Sequence, residues 1–182
     1  MRCLLESWDS LHSSLEDGTV ESVQRIRSPW PTVEMSERGA RTLGRQYWLA
    51  TARAGRGLVH CREEREGVEL RLLRRGPVLL SFRSAETSFA DDRVSCRYPI
   101  RGGLLTGREG GMLILSQVGR EEVELQTTVT GFVPRLGVAL GFVQRRVHVG
   151  VSRRYFARLI AEARPTTPVA PSTATVTAAP PR

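Results

Sequence analysis

The sequence predicts an α+β fold in which an antiparallel sheet packs against a long C-terminal helix. Two observations carry this prediction. Between residues 47 and 131, short apolar runs are separated by Gly, Pro or acidic turns, and such regular short spacing is typical of antiparallel hairpins and meanders. After residue 135, apolar residues recur every three or four positions up to residue 163, which is the period of one helix face.

The N-terminal segment has a helical pattern of its own. Leu4, Trp8, Leu11 and Leu15 are spaced as on one face of a short amphipathic helix. The pattern stops before an Asp-Gly pair, which is a helix-ending signal. We therefore predict that residues 1–18 form an N-terminal amphipathic helix in front of the main domain.

The sheet is predicted from a series of short segments. Residues 19–26 alternate imperfectly and predict an edge strand, because a Pro-containing stretch ends it. Residues 33–44 are polar and small and predict a weak helix or a loop, with Ser36 or Thr32 as its cap. Seven further strands are predicted over residues 47–52, 58–62, 68–74, 78–83, 93–98, 112–118 and 123–131.

The predicted C-terminal helix, residues 136–163, presents two polar faces. Gln144, His148 and Tyr155 lie beside Val147, Val151 and Leu159 on the face that should meet the sheet. Buried polar groups need partners, so these three are either satisfied core residues or groups that orient a molecule bound between helix and sheet. Four arginines fall on one line along the opposite side: Arg135, Arg146, Arg153 and Arg164.

The charge is concentrated on this helix. The net charge is +8, all 27 basic residues are arginine, and residues 134–164 hold seven Arg against one Glu. Such a stripe fits a solvated face, an anionic membrane surface, an acidic partner or nucleic acid. The scarcity of aromatic residues argues against sequence-specific recognition of single-stranded nucleic acid, which uses stacking platforms.

Several kinds of chemistry have no sequence signal. The three cysteines lack CxxC spacing and the three histidines lack metal-ligand spacing, so we expect no metal and no cofactor. The Gly-Gly pairs at 102–103 and 110–111 precede a strand and predict turns, because a phosphate loop leads into a helix. The N-terminus carries acids rather than an apolar signal run, and we expect a cytoplasmic protein.

The C-terminal segment differs in composition from the rest. Residues 165–182 contain five prolines with Thr, Ala, Ser and Val and a single charge. Too few bulky apolar residues are present to build a core, so we predict a disordered tail. The main domain is accordingly predicted over residues 19–164.

Four short stretches resemble one known superfamily. They are YPIRGGL at 98–104, GML at 111–113, GFVPRL at 131–136 and QRRVH at 144–148. Together with the order of predicted elements, they look like the START/Bet v 1-like (SRPBCC) superfamily, which includes polyketide cyclase-like proteins. The resemblance implies a helix-grip fold, a curved sheet around the C-terminal helix that binds hydrophobic molecules in between. It implies that Tyr98, Thr127 and His148 are cavity positions.

Three functional hypotheses follow. The first is binding of a hydrophobic or amphipathic small molecule, lipid or polyketide-like, by Tyr98, Thr127, Gln144, His148 and Tyr155. The second is a polyketide cyclase or dehydratase that uses His148 or Tyr155 for proton transfer. The third is an interaction module that uses the arginine stripe to meet an anionic partner.

Overall fold

The computed structural model describes residues 8–15, 17–135 and 137–163, and within α2 it describes side chains from residue 146 onwards. It confirms the α+β class. In chain order, the elements of this described part are β1 (Asp9–Ser14), β2 (Val20–Ser28), α1 (Glu37–Ala54), β3 (Val59–Glu64), β4 (Gly67–Leu72), β5 (Val78–Arg83), β6 (Glu86–Phe89), β7 (Arg93–Gly102), β8 (Met112–Val118), β9 (Val123–Phe132) and α2 (Gly137–Glu162).

The nine strands form one antiparallel, curved and open sheet. The strand order is β1-β2-β9-β8-β7-β5-β4-β3, and the short β6 pairs with β7. Most neighbours are consecutive hairpins, whereas the β2–β9 pairing joins the start of the chain to its last strand. The two helices pack against each other on the sheet's inner face. The predicted long C-terminal helix is therefore confirmed, within two residues of its expected bounds.

The inner face of the sheet changes character from one side to the other. Gln24 lies opposite Thr127, Thr127 opposite Leu115, and Leu115 opposite Cys96. Directly paired residues point to the same face, and all four side chains are fully buried. Along this row, the inner face is thus apolar at β7 and β8 and polar at β9 and β2.

One predicted strand is wrong. Residues 47–52 belong to α1, which begins after Ser36 and uses the Ser36 hydroxyl to accept a 3.1 Å hydrogen bond from the Gly39 amide. The aromatic pair Tyr47 and Trp48 has a high β propensity. Both rings are nevertheless buried on a helix face, because tertiary packing overrides that weak preference. Of the two caps considered, Ser36 is the one observed.

The predicted N-terminal helix is also wrong for the residues described. Residues 9–14 form β1, which pairs with β2 along its whole length. Leu11 and Leu15 of the supposed apolar face are exposed, and Trp8 packs on Phe156 of α2 with ring centroids 5.8 Å apart. Pairing with β2 satisfies the backbone of a segment too short to be a stable isolated helix. Consequently β2 lies inside the sheet and is not an edge strand.

One strand was not predicted, and one predicted segment lies outside the described residues. Strand β6 was missed because Glu86–Phe89 is four residues long and lacks an alternating apolar pattern. The tail predicted over residues 165–182 lies outside the described residues, so its disorder and the domain boundary at residue 164 stay predictions. None of the helices in the described part of the chain is long and apolar enough to cross a bilayer.

Candidate functional site

A group of polar side chains lies between the polar side of the sheet and the two helices. The Thr127 and Ser152 hydroxyls, from β9 and α2, are 2.9 Å apart and hydrogen-bonded, and both residues are fully buried. Gln24 of β2 lies next to Thr127 on the same face. We call the whole group the interior polar cluster, and its members are Gln24, Tyr47, Thr127, His148, Ser152 and Tyr155.

The helices supply the other members of this cluster. His148, Ser152 and Tyr155 are four and three residues apart and so lie on one face of α2. The Tyr47 hydroxyl of α1 is 3.5 Å from Nδ1 of His148. The Tyr47 and Tyr155 rings meet edge to face, with centroids 5.4 Å apart. The cluster is therefore continuous from β2, through β9 and α2, to α1.

Three atoms of the cluster are inaccessible to solvent and lack a hydrogen-bond partner among the described residues. They are Oε1 of Gln24, Nε2 of His148 and the hydroxyl oxygen of Tyr155. Leaving a buried donor or acceptor unsatisfied costs about 1–3 kcal/mol per group. The cluster therefore holds three unused donors or acceptors, and polar groups of a ligand are one kind of partner for such atoms.

The cluster is uncharged at neutral pH. Burial, with a smaller contribution from nearby His12, lowers the pKa of His148 to about 4. Burial raises the pKa of the Tyr155 phenol far above its ordinary value, and it raises the pKa of Tyr47 in the same way. The imidazole is therefore neutral and both phenols keep their protons. The cluster can donate and accept hydrogen bonds, but it presents no charge to a ligand.

The sequence-predicted binding residues are only partly brought together. Thr127, His148 and Tyr155 belong to the interior polar cluster. The Gln144 side chain lies outside the described part of the structure. Tyr98 lies on β7 under α1, where its hydroxyl is pressed against Gly44, and it interacts electrostatically with Tyr155 of the cluster.

Tyr98 belongs to an aromatic layer beneath α1. Its ring meets that of Trp48 edge to face, with centroids 5.0 Å apart, and the Phe82 ring is 6.5 Å away. Burial raises the pKa of the Tyr98 phenol. These contacts place Tyr98 in the packing between α1 and the sheet, and its predicted part in ligand binding stays a prediction.

Three members of the cluster were missed from sequence. Tyr47 was assigned to a strand. Ser152 falls on the predicted inner helix face, but a small hydroxyl residue gives no periodic signal. Gln24 occupies an inward position of β2 where an apolar residue is the norm. A polar residue at such a position is the sequence signal that could have identified Gln24 as a member of the cluster.

The arginine stripe is only partly formed. Arg135 precedes α2, and its backbone amide donates to the Leu105 carbonyl. Arg146 and Arg153 are exposed on α2, and the Arg153 guanidinium stacks 5.1 Å from the centre of the Trp8 ring. Arg164 lies outside the described residues. Val147 was predicted to face the sheet, but it is exposed. It therefore does not lie on the inner face of α2.

Surface clefts of the described part of the chain include the following two. The larger, about 650 Å³, lies between the loop around Val33 and the turns at Phe89 and Arg120. The smaller, about 240 Å³, lies between α1 and the β3–β4 turn and reaches Tyr98. Neither is lined by Thr127, His148 or Tyr155. No group of three or more potential metal ligands occurs among the described residues.

Comparison with known proteins gives no family assignment. No family model and no curated protein matches the chain. Among solved structures, CalU16 from Micromonospora echinospora aligns over 91% of this chain and 80% of its own, with 14% identity and a TM-score of 0.41. A conserved protein of unknown function from Enterococcus faecalis aligns over 89% of this chain and 91% of its own, with 8% identity and a TM-score of 0.40.

Proposed function

We propose that the protein binds an amphipathic small molecule, lipid-like or polyketide-like, between the sheet and α2. The observation that carries this proposal is the set of three buried polar atoms, on Gln24, His148 and Tyr155, that have no hydrogen-bond partner among the residues whose side chains the structure describes. A core needs no such atoms for stability, since each one left unsatisfied lowers it. A ligand that hydrogen-bonds to them recovers that free energy on binding.

The surroundings define what such a ligand looks like. Tyr155 keeps its proton and donates, Oε1 of Gln24 accepts, and neutral His148 does either according to its tautomer. Beyond Thr127, the inner face continues as Leu115 and Cys96, which provide an apolar wall. Burial of apolar ligand surface contributes roughly 25 cal/mol per Å². The ligand is therefore mostly apolar and carries a hydroxyl or carbonyl group at one end.

The enzyme hypothesis is the second candidate, and the contact between His148 and Tyr47 favours it. A neutral imidazole can take up a proton from a bound substrate and return it, and the Tyr47 hydroxyl, 3.5 Å from Nδ1 of the ring, can hold the ring in position. Cyclisation or dehydration of a bound polyketide-like substrate needs such an exchange. Under this hypothesis, His148→Ala abolishes turnover, whereas retained turnover assigns His148 to binding alone.

The binding proposal predicts different effects for two chemically identical substitutions. Tyr155→Phe removes an unpartnered hydroxyl from the cluster but keeps the ring. We expect ligand affinity to fall by up to about tenfold, the worth of one hydrogen bond, while thermal stability of the ligand-free protein rises slightly. Tyr98→Phe removes a hydroxyl that lies against Gly44, outside the cluster. If the cluster alone holds the polar group of the ligand, this variant leaves affinity unchanged, whereas a loss of affinity would add Tyr98 to the binding site.

The measurement is a fluorescence titration with N-phenyl-1-naphthylamine, followed by its displacement with long-chain alcohols and ketones. Wild type and Tyr98→Phe should release the probe at similar alcohol concentrations, and Tyr155→Phe at higher ones. Equal displacement curves for wild type and Tyr155→Phe would remove the cluster from ligand binding.

A further inference from the structure

A surface with exposed leucines lies at the edge of the sheet, where α1 ends and the turn between β4 and β5 begins. Four exposed leucines come together there. The Leu73 amide donates to the Leu58 carbonyl over 2.7 Å, the Leu72 amide donates to the Pro77 carbonyl, and the Leu104 amide donates to Val78 at the start of β5. The exposed fractions are 59% for Leu58, 40% for Leu72, 52% for Leu73 and 44% for Leu104.

The same edge carries a local surplus of positive charge. Arg53 and Arg56 lie at the end of α1, and Arg74 and Arg75 lie in the β4–β5 turn; all four are exposed. Residues 70–85 contain four arginines and no acid. Within the part of the chain that the structure describes, none of these four guanidinium groups forms an ion pair with a carboxylate. We call this surface the leucine–arginine edge.

Two residues at this edge have a backbone conformation that non-glycine residues seldom adopt. Arg56 and Leu73 have φ values of 47° and 58°, and they are the two non-glycine residues with positive φ in the described ranges. A bulky side chain in the left-handed region costs free energy, and such strain is concentrated at functional positions. At Leu73 the strained conformation also holds a large apolar side chain in solvent. Glycine or asparagine would form the same turn at lower cost.

We propose that the leucine–arginine edge docks the protein on an anionic lipid bilayer. Leucine side chains at a hairpin tip can enter the boundary between headgroups and acyl chains, while neighbouring guanidinium groups pair with lipid phosphates. Nucleic acid would match the charge but gives no reason to expose four leucines. The surface is distinct from the arginine stripe predicted along α2, and this inference does not depend on the interior polar cluster.

The test is co-sedimentation of the full chain with vesicles of phosphatidylcholine alone and of phosphatidylcholine with 30% phosphatidylglycerol. We expect at least tenfold stronger partitioning into the anionic vesicles. Each surface arginine near a bilayer contributes about fivefold, so Arg74→Gln/Arg75→Gln should reduce partitioning by about twenty-five-fold. Leu73→Asn should reduce it several-fold, and because asparagine tolerates positive φ, this variant should be at least as stable as wild type.

Matched controls lie on other surfaces. Leu11→Asn changes a leucine that is exposed on β1 at the opposite edge of the sheet, and Arg93→Gln/Arg97→Gln removes two exposed charges from β7. Both should bind vesicles like wild type. The proposal is overturned by equal partitioning into neutral and anionic vesicles, or by unchanged binding of both edge variants. Polyuridylic acid binding that depends on Arg74 and Arg75 but not on Leu73, without vesicle binding, would also overturn it.

Discussion

Replacement of Gly44 by alanine is expected to lower the free energy of unfolding by about 2 kcal/mol, although alanine is the better helix former. A Cβ at this position would overlap the Tyr98 hydroxyl and lie 3.0 Å from Cζ of Tyr98 and 3.1 Å from Sγ of Cys96. The Tyr98 ring cannot retreat, because Trp48 and Phe82 pack against it. Chemical denaturation monitored by tryptophan fluorescence measures the effect.

A double-mutant cycle and a second helix glycine make this prediction specific. In a Tyr98→Phe background the overlapping oxygen is gone, so Gly44→Ala should cost markedly less than in wild type. Gly150 of α2 has nothing within 4 Å of an added Cβ, so Gly150→Ala should stabilise the protein by about 1 kcal/mol. Additive effects of Gly44→Ala and Tyr98→Phe on the free energy of unfolding would show that Gly44 of α1 does not pack against the Tyr98 hydroxyl.

Acidification from pH 6.5 to pH 4 is expected to destabilise the fold through His148 by about 3 kcal/mol. Burial lowers the pKa of His148 from 6.5 to about 4 in the folded protein, so over this interval the unfolded chain binds a proton that the folded chain does not. Stability from this group is complete above pH 6.5 and is lost as the pH falls towards 4. His12 of β1 and Tyr47 of α1 face the ring and offer no carboxylate to hold the proton.

The contribution of His148 is separated from that of the carboxylates by comparing the pH dependence of the free energy of unfolding in wild type and in His148→Gln. We expect the free energy of unfolding to fall less steeply below pH 6.5 in His148→Gln than in wild type. His60→Gln, on β3, should follow wild type, since the His60 ring lies at the surface against the Gly57 carbonyl. A wild-type curve parallel to that of His148→Gln would mean that the folded protein protonates His148 as readily as the unfolded chain does.

The sheet and the last helix could be predicted because their patterns are local. The alternation in β9 and the helical period of α2 reflect one buried face each, and the structure has both elements where the sequence placed them. The errors at Trp8 and Tyr47 have the opposite cause. Their local patterns are ambiguous, and contacts distant in sequence decide the outcome, with Trp8 meeting Phe156 and Tyr47 meeting Tyr155.

The candidate site was harder to predict than the fold. His148 and Tyr155 were found because a polar residue on an apolar helix face stands out. Gln24 becomes a neighbour of Thr127 only through the β2–β9 pairing, which joins residues about a hundred positions apart. The leucine–arginine edge likewise consists of segments that only the hairpin register brings together. Pairing partners of this kind are not encoded in any single stretch of sequence.

Native mass spectrometry of the full chain, purified without organic solvent, tests the central claim most directly. If the interior polar cluster holds an amphipathic molecule, the spectrum should contain a species heavier than the chain. Solvent extraction should return that mass to the chain value and release an uncharged, mostly apolar compound with a hydroxyl or carbonyl group. A chain that stays at its own mass after incubation with a broad lipid and polyketide extract would contradict the account.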